Sequence, residues 1–513
     1  MKLRLPAGAH GGQAMFWRLF EAATRPTFLV TVAVLLLALF AGVATPAYVG
    51  LMGASPGKLL ALPALIMLLL FLLYDKRALL VTILLFRSIC DPILESTKIS
   101  VGGTALGLGL GLNLLVIVIA CLFVLERPKE FPRVLANAWW PFMVLATIGF
   151  IVAPNKAEAI RVLLAACSYF AMFIAATYMV RTMEDFRFAI KLVIWSSVLT
   201  TLYAFVDIGL HMRDSTFRLQ STFGHPNIFA FYLTLITTLL LYLLKTTTAT
   251  LRPGVRVLLT GYMLLQIVLL LLTQTRSAWI GCAAIFIIYA VAYERKYLLY
   301  LLLAPVVAML IPSVRERVMD MASGGNDQVY AYARLNSFAW RVLLWEAGLK
   351  WMEPTRYLFG YGLEAFRFHS QAFFSLSGGS DWSPHNLLVQ FMFDLGAVGL
   401  AAYLLTFYKM IARLRGMFRL DKVAALLFMS TIIAHVIVSM SDNVFAYLVF
   451  NWYFWFLVGG ACAISPVLVR KKNYHPAVAA AHHPAHNIAH NTAHNTAHNI
   501  AHNSGPEGVR LGH

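Results

Sequence analysis

Residues 382–396, WSPHNLLVQFMFDLG, carry a long polar segment back into an apolar helix with His385 at the join. The Ser-Pro pair just before it fixes where the side chain points. An imidazole both takes and gives a proton near neutral pH. Of the 15 histidines, only His10, His211, His225, His369, His385 and His435 lie outside the C-terminal tail. Arginines supply the second half of the chemistry. Arg276 sits in QTRSAW at 274–279, Arg341 in SFAWRVLLWEAGLKWM at 337–352, and Arg213 and Arg218 precede FGHPN at 223–227. Guanidinium forks grip phosphate through paired, charge-assisted hydrogen bonds and stay protonated. Such a set suits an anionic leaving group and a hydroxyl nucleophile, with His385 as general base. The candidates for binding the anionic leaving group and the substrate are Arg276, Arg341, Arg218, His225 and Asn386. Each candidate also has a plainer reading. Arg276 can snorkel to lipid phosphate. Arg341 can pair with Glu346 or a headgroup, and His225 can cap a helix. His385 can satisfy a backbone carbonyl at a helix start.

The elements that must position these side chains are membrane helices. Hydrophobic residues make up 60% of the 513, charged residues 12%, and mean hydropathy is +0.73. A soluble protein could not cover that balance with polar surface. Apolar runs long enough to cross about 30 Å of hydrocarbon recur almost from end to end. They are expected at 27–49, 58–74, 77–90, 103–125, 134–153, 161–180, 187–209, 226–244, 257–274, 277–293, 297–312, 386–408, 423–441 and 443–468. The fold expected is all-α and polytopic, with about 12–14 transmembrane helices. The runs at 77–90 and 297–312 are short enough to be re-entrant.

Lys and Arg set the orientation. The N-terminus and the clusters at 76–77, 127–133, 181–191, 245–256, 295–296, 409–422 and 470–472 hold most of the 41 basic residues and alternate with charge-poor turns. The basic side is then cytoplasmic, and both termini are inside. This yields a cytoplasmic N-terminus at 1–26, a helix bundle at 27–312, a large outer loop at 313–385, C-terminal spans at 386–468 and a cytoplasmic tail at 469–513. The N-terminal 26 residues are basic and lack a small-residue cleavage site, so the first helix is expected to be retained. The outer loop is too long for a connector, and loops of that length carry function. Within it, 337–352 has a helical period that fits an amphipathic helix on the membrane, stopped by Pro354, and Phe359-Gly360-Tyr361-Gly362 marks a turn that needs backbone freedom. The tail repeats AHNI and AHNT, a low-complexity pattern expected to be disordered, with metal sequestration as the alternative.

The net charge of +18 is spread in short clusters between apolar runs, which fits anionic lipid and topology rather than nucleic acid. Cys90, Cys121, Cys167, Cys282 and Cys462 form no CxxC pair and read as small core residues. No DxD, HExxH, GxSxG or P-loop motif is present, so neither a metal nor any other cofactor is expected.

The series FGHPNIFAFYL (223–233), QTRSAWIG (274–281), SFAWRVLLWEAGL (337–349), FGYGLEAF (359–366) and SPHNLLVQFMFDLGAVGL (383–400) resembles the O-antigen ligase and polysaccharide polymerase superfamily. The resemblance covers residues 200–410. It implies a GT-C-like bundle in the bacterial inner membrane with an active site facing the periplasm. The implied reaction moves a glycan from undecaprenyl pyrophosphate to an acceptor with inversion and without metal. The acceptor would be another glycan, the lipid A-core or a protein. By position, Arg276 corresponds to the membrane-face arginine, Arg341 to the loop arginine and His385 to the base, with Arg218 a weaker match. The runs before residue 200 exceed the usual twelve-span layout.

Two other classes compete. A secondary transporter would carry ionisable groups near mid-membrane, whereas Arg87, Lys191, Asp207, His435 and Asp442 lie mostly near span ends. A non-catalytic assembly partner would tolerate loss of His385.

Overall fold

The computed structural model describes residues 56–466, apart from 98, 102–103, 213–216, 248–250, 311–313, 317 and 320–336. The expected first span, Arg213 and the His-rich tail lie outside the described residues. In chain order the elements are α1 (Pro56–Tyr74), α2 (Lys76–Phe86), α3 (Asp91–Ser96), the antiparallel pair β1 (Ile99–Val101) and β2 (Thr104–Leu106), α4 (Leu108–Glu126), α5 (Arg133–Ala136), α6 (Trp140–Val152), α7 (Lys156–Met179), α8 (Met183–His211), α9 (Pro226–Thr246), α10 (Pro253–Leu272), α11 (Arg276–Ala292), α12 (Lys296–Ala308), α13 (Ser337–Trp351), α14 (Ala365–Phe373), α15 (Leu387–Leu414), α16 (Lys422–Val438) and α17 (Leu448–Ile464). The protein is an all-α polytopic membrane protein. Among the described residues, α4, α7, α8, α9, α10 and α15 are long and apolar enough to cross a membrane, and α6, α11, α12, α16 and α17 are shorter apolar helices.

Polar side chains start these helices where the sequence leaves backbone donors unmatched. Asp75, Asn155 and Asp421 cap α2, α7 and α16, and Thr182 with Asp185 forms a capping box on α8. The centre of the bundle is α9 and α17, both almost wholly buried. Gly459 and Gly460 let α17 close onto α7: a Cβ at Gly459 would collide with the Phe173 backbone. Small residues allow such approach where no water drives helices together.

The two ends of α9 have different company. At its C-terminal end Lys245 pairs with Glu294, which also binds Lys296, 2.9 Å away. Lys76 pairs with Glu126 and Arg181 with Glu130, so predicted basic clusters meet through shared carboxylates. The N-terminal end of α9 carries the candidate residues.

Two expected spans depart from the sequence pattern. The run 134–153 is split into α5 and α6, with Pro141 in the first turn of α6. The apolar run after His385 is broken at Gly396, whose φ of 69° lies in the left-handed region. Segment 357–363 threads this break. Tyr361 N and Gly362 N donate to the carbonyls of Phe393 (3.1 Å) and Asp394 (2.8 Å), while Ala397 N and Val398 N donate to those of Tyr357 (2.8 Å) and Leu358 (3.2 Å). The loop thereby satisfies backbone groups that an intact helix would pair with itself. A Cβ on Gly396 would collide with the Leu358 backbone, and one on Gly360 with the Asp394 carbonyl. The Phe-Gly-Tyr-Gly turn is therefore a plug that fits the broken helix.

The buried Asp394 carboxylate accepts from Glu364 N (3.0 Å) and Phe366 N (2.9 Å) and so starts α14. Phe393 stacks on Tyr361 at 5.0 Å and lies 5.9 Å from Trp351, and Leu344, Phe366 and Phe374 join them in a second apolar cluster. The expected loop helix is present as α13. Its apolar residues do not form one stripe: Leu344 faces this cluster while Phe338 is exposed.

Candidate active site

Segment 439–443, between α16 and α17, joins the candidate residues. Leu387 N, at the start of α15, donates to Ser439 O (2.8 Å), and Arg341 Nη1 from α13 donates to Ser441 O (3.0 Å). Asp442, 1% exposed, takes the remaining bonds. Its Oδ1 accepts from Tyr447 OH (2.6 Å) and Asn443 N (2.9 Å), and its Oδ2 from Asn227 Nδ2 (2.7 Å), with Ser277 Oγ at 3.5 Å. A carboxylate in so buried a place needs this many donors to offset its lost hydration.

Asn227 passes the network to Arg218. Its Oδ1 accepts from Arg218 Nη2 (2.9 Å) and Thr275 Oγ1 (3.1 Å), and Arg218 Nε donates to Thr273 O (3.1 Å). The tight turn before Arg276 is made by Gln274 at φ 53°, whose Nε2 bonds Phe217 O at 2.9 Å. Arg276 then opens α11 between Thr275 and Ser277, both of which reach the network.

His385 sits at φ 49°, a left-handed conformation that histidine tolerates better than most residues and that recurs at functional sites. Two neighbours hold it there: Trp345 Nε1 donates to Pro384 O, and Asn386 caps α15 by accepting from Leu388 N (3.0 Å) and Val389 N (3.2 Å). Burial chiefly, then the Arg341 charge, hold the His385 imidazole below the ordinary histidine range, with Asp442 pulling the other way and His225 adding to the depression. A neutral imidazole beside a guanidinium is the form a general base requires. His225 is also held low, by burial and by Arg218, against Asp442.

The structure thus brings His385, Arg341, Arg218 and His225 around Asp442, with Arg276 one residue from two members of the network. His225 and Asn386 have structural work as caps: His225 Nδ1 accepts from Asn227 N at 3.1 Å. The residues missed by sequence reading are Thr275, Ser277, Asp442 and Tyr447. Asp442 had a visible signal, an acid at the end of an apolar run, which reads equally well as a solvated span end.

Residues 261–404 match the family model described as O-Antigen ligase. Over that segment the chain is similar to this family. This match supports the O-antigen ligase and polymerase superfamily, and with it a multi-pass membrane enzyme that joins a lipid-linked glycan donor to a glycan acceptor. The matched segment contains Arg276, Arg341, His385 and the broken half of α15. Arg218, Asn227 and Asp442 lie outside it and complete the network from flanking segments. No curated protein matches the chain.

Proposed function

We propose that the protein moves a glycan from undecaprenyl pyrophosphate to a sugar hydroxyl at the periplasmic face of the bacterial inner membrane, and that it polymerises repeat units of an exopolysaccharide or O-antigen. His385 takes the proton from the acceptor hydroxyl. The acceptor oxygen bonds the anomeric carbon as the bond to pyrophosphate breaks, and the leaving diphosphate departs with the electron pair. A single displacement of this kind inverts the anomeric centre. Arg276, Arg341 and Arg218 oppose the negative charge that gathers on the leaving group, an effect that is strong in a partly dry site.

The observation that carries this reading is geometric: Arg341 Nη1 donates to Ser441 O while Leu387 N, two residues after His385, donates to Ser439 O, so the base candidate and the phosphate-binding candidate are fastened to one short segment at the end of α16. Base and phosphate-binding group then sit side by side without neutralising each other. The test is the lipid-linked glycan that builds up when the protein is removed from its cell. Single repeats on lipid support polymerisation, and long chains on lipid shift the reading to ligation onto lipid A-core or protein. Unchanged lipid-linked glycan refutes both.

A further inference from the structure

A second feature adjoins segment 442–446. Here α7, the start of α14, the first half of α15 and residues 443–446 enclose a cavity of about 200 Å³. Its polar lining is a relay of three side chains. Gln390 Nε2 donates to Glu364 Oε1 (3.0 Å), and Asn443 Nδ2 donates to Gln390 Oε1 (2.6 Å). Asn443 Oδ1 is buried and has no hydrogen-bond partner among the described residues. Phe391 and Phe445 form the apolar wall, and Arg161 stands at the rim, bonded to Glu158 at 2.9 Å.

Glu364 is aimed here by an unusual backbone. It is one of four non-glycine residues with positive φ among the described residues, at 61°, and its N–H is pinned by Asp394. Such strain persists only where surrounding structure over-determines it. Burial raises the Glu364 carboxyl above its ordinary range, with Arg367 pulling it down. Carboxyl and amide groups beside two aromatic walls match a sugar ring, whose hydroxyls need both donors and acceptors and whose C–H edges are apolar. The rim arginine is already paired with a carboxylate, so the lining has no surplus cation for phosphate. The volume admits one ring rather than a long ligand.

We propose that this cavity is a saccharide subsite, holding one uncharged pyranose ring of the acceptor glycan beside the reaction centre. The assignment rests on the glycan-transfer reading above. Asn443 follows Asp442 directly, and Gln390 lies in the first turn of the helix that Asn386 caps, so the cavity is built on the same two segments as the base candidate. The polar relay selects the ring, and the arginine network joined to Asp442 through Asn227 is left to the donor diphosphate.

Two substitutions fill the cavity from opposite walls without removing a polar group: Ala165→Phe from α7 and Ala446→Trp from the rim. The probe is the oligosaccharide released by mild acid from the lipid-linked glycan of the producing cell. It is offered to the full chain in lipid nanodiscs and read by saturation-transfer NMR beside a transfer assay. We expect both variants to lose the saturation signal and to raise the KM for acceptor roughly tenfold, with kcat and donor KM near wild type. His385→Ala should abolish transfer yet keep the signal. A folded variant of either kind that binds and turns over like wild type overturns the subsite. A rise in donor KM instead of acceptor KM overturns the acceptor assignment. If wild type binds the probe but transfers nothing, the transferase reading fails separately; if wild type transfers but gives no signal, the subsite fails.

Discussion

Asn227 Nδ2 stands 2.7 Å from Asp442 Oδ2, and this bond ties the start of α9 to the segment that carries Arg341 and the start of α15. Removing the carboxylate leaves the Asn227 amide and the Tyr447 phenol short of a buried partner, and Asn227 is the residue that accepts from Arg218. We expect Asp442→Ala to destabilise the protein by about 1–3 kcal/mol for each donor left buried and unpaired. Asp442→Asn keeps the shape and should cost less. Thermal unfolding in nanodiscs checks both, and an Asp442→Ala protein as stable as wild type removes Asp442 from the centre of the site.

His385→Ala should leave the melting temperature near wild type while glycan transfer falls about 10²- to 10⁴-fold, the range expected for loss of a general base. Its ring is only partly buried and no backbone bond depends on it, so a large stability loss would point to a structural histidine instead.

The pH profile follows from the charges around that ring. An imidazole held below the ordinary value near 6.5 stays neutral into mildly acidic solution, so the acid limb of kcat/KM should fall below that pH. Arg341 lowers this value and Asp442 raises it. Residual activity of Arg341→Gln should therefore lose its base at higher pH than wild type, and that of Asp442→Asn at lower pH. Identical limbs in all three proteins would disconnect His385 from the reaction.

Arg341→Lys keeps the charge but loses the planar fork. One guanidinium nitrogen is spent on Ser441 O, which leaves the rest of the fork for a phosphate. We expect transfer to drop at least about tenfold, an effect near the strength of one charge-assisted hydrogen bond. Full activity with Lys would exclude bidentate binding.

Gly396→Ala and Gly360→Ala each force a side chain into backbone at a positive φ. The left-handed penalty alone is about 1–2 kcal/mol, and the collision adds to it. A larger drop in melting temperature for both than for Gly378→Ala separates collision from strain: Gly378 also has a positive φ, but nothing stands near its Cβ. Gly378→Ala should therefore lose only the smaller amount.

The membrane class, most helices and the glycine turn at 359–362 were legible because each rests on a local signal: apolar length, a polar cap or a glycine where the backbone must bend. His385, Arg341 and Arg218 stood out as charges at the polar ends of apolar runs. The break in α15 was hidden, since Gly396 lies in an apolar run like other glycines that helices tolerate, and only the distant segment 357–363 shows what it admits. Asp442 and Glu364 escaped for a related reason. Their meaning comes from partners far away in sequence, Asn227 and Gln390, and from burial that no local window records.

The threaded gap also limits how such a scaffold can be recombined. Four main-chain bonds anchor residues 357–363 to both halves of α15, and Leu363 N adds a fifth to Gly149 O on α6. A chimera cut between 357 and 398 would strand peptide groups among hydrocarbon. Transplanting acceptor choice between two such enzymes should therefore require exchanging this whole block with the end of α6 that receives it.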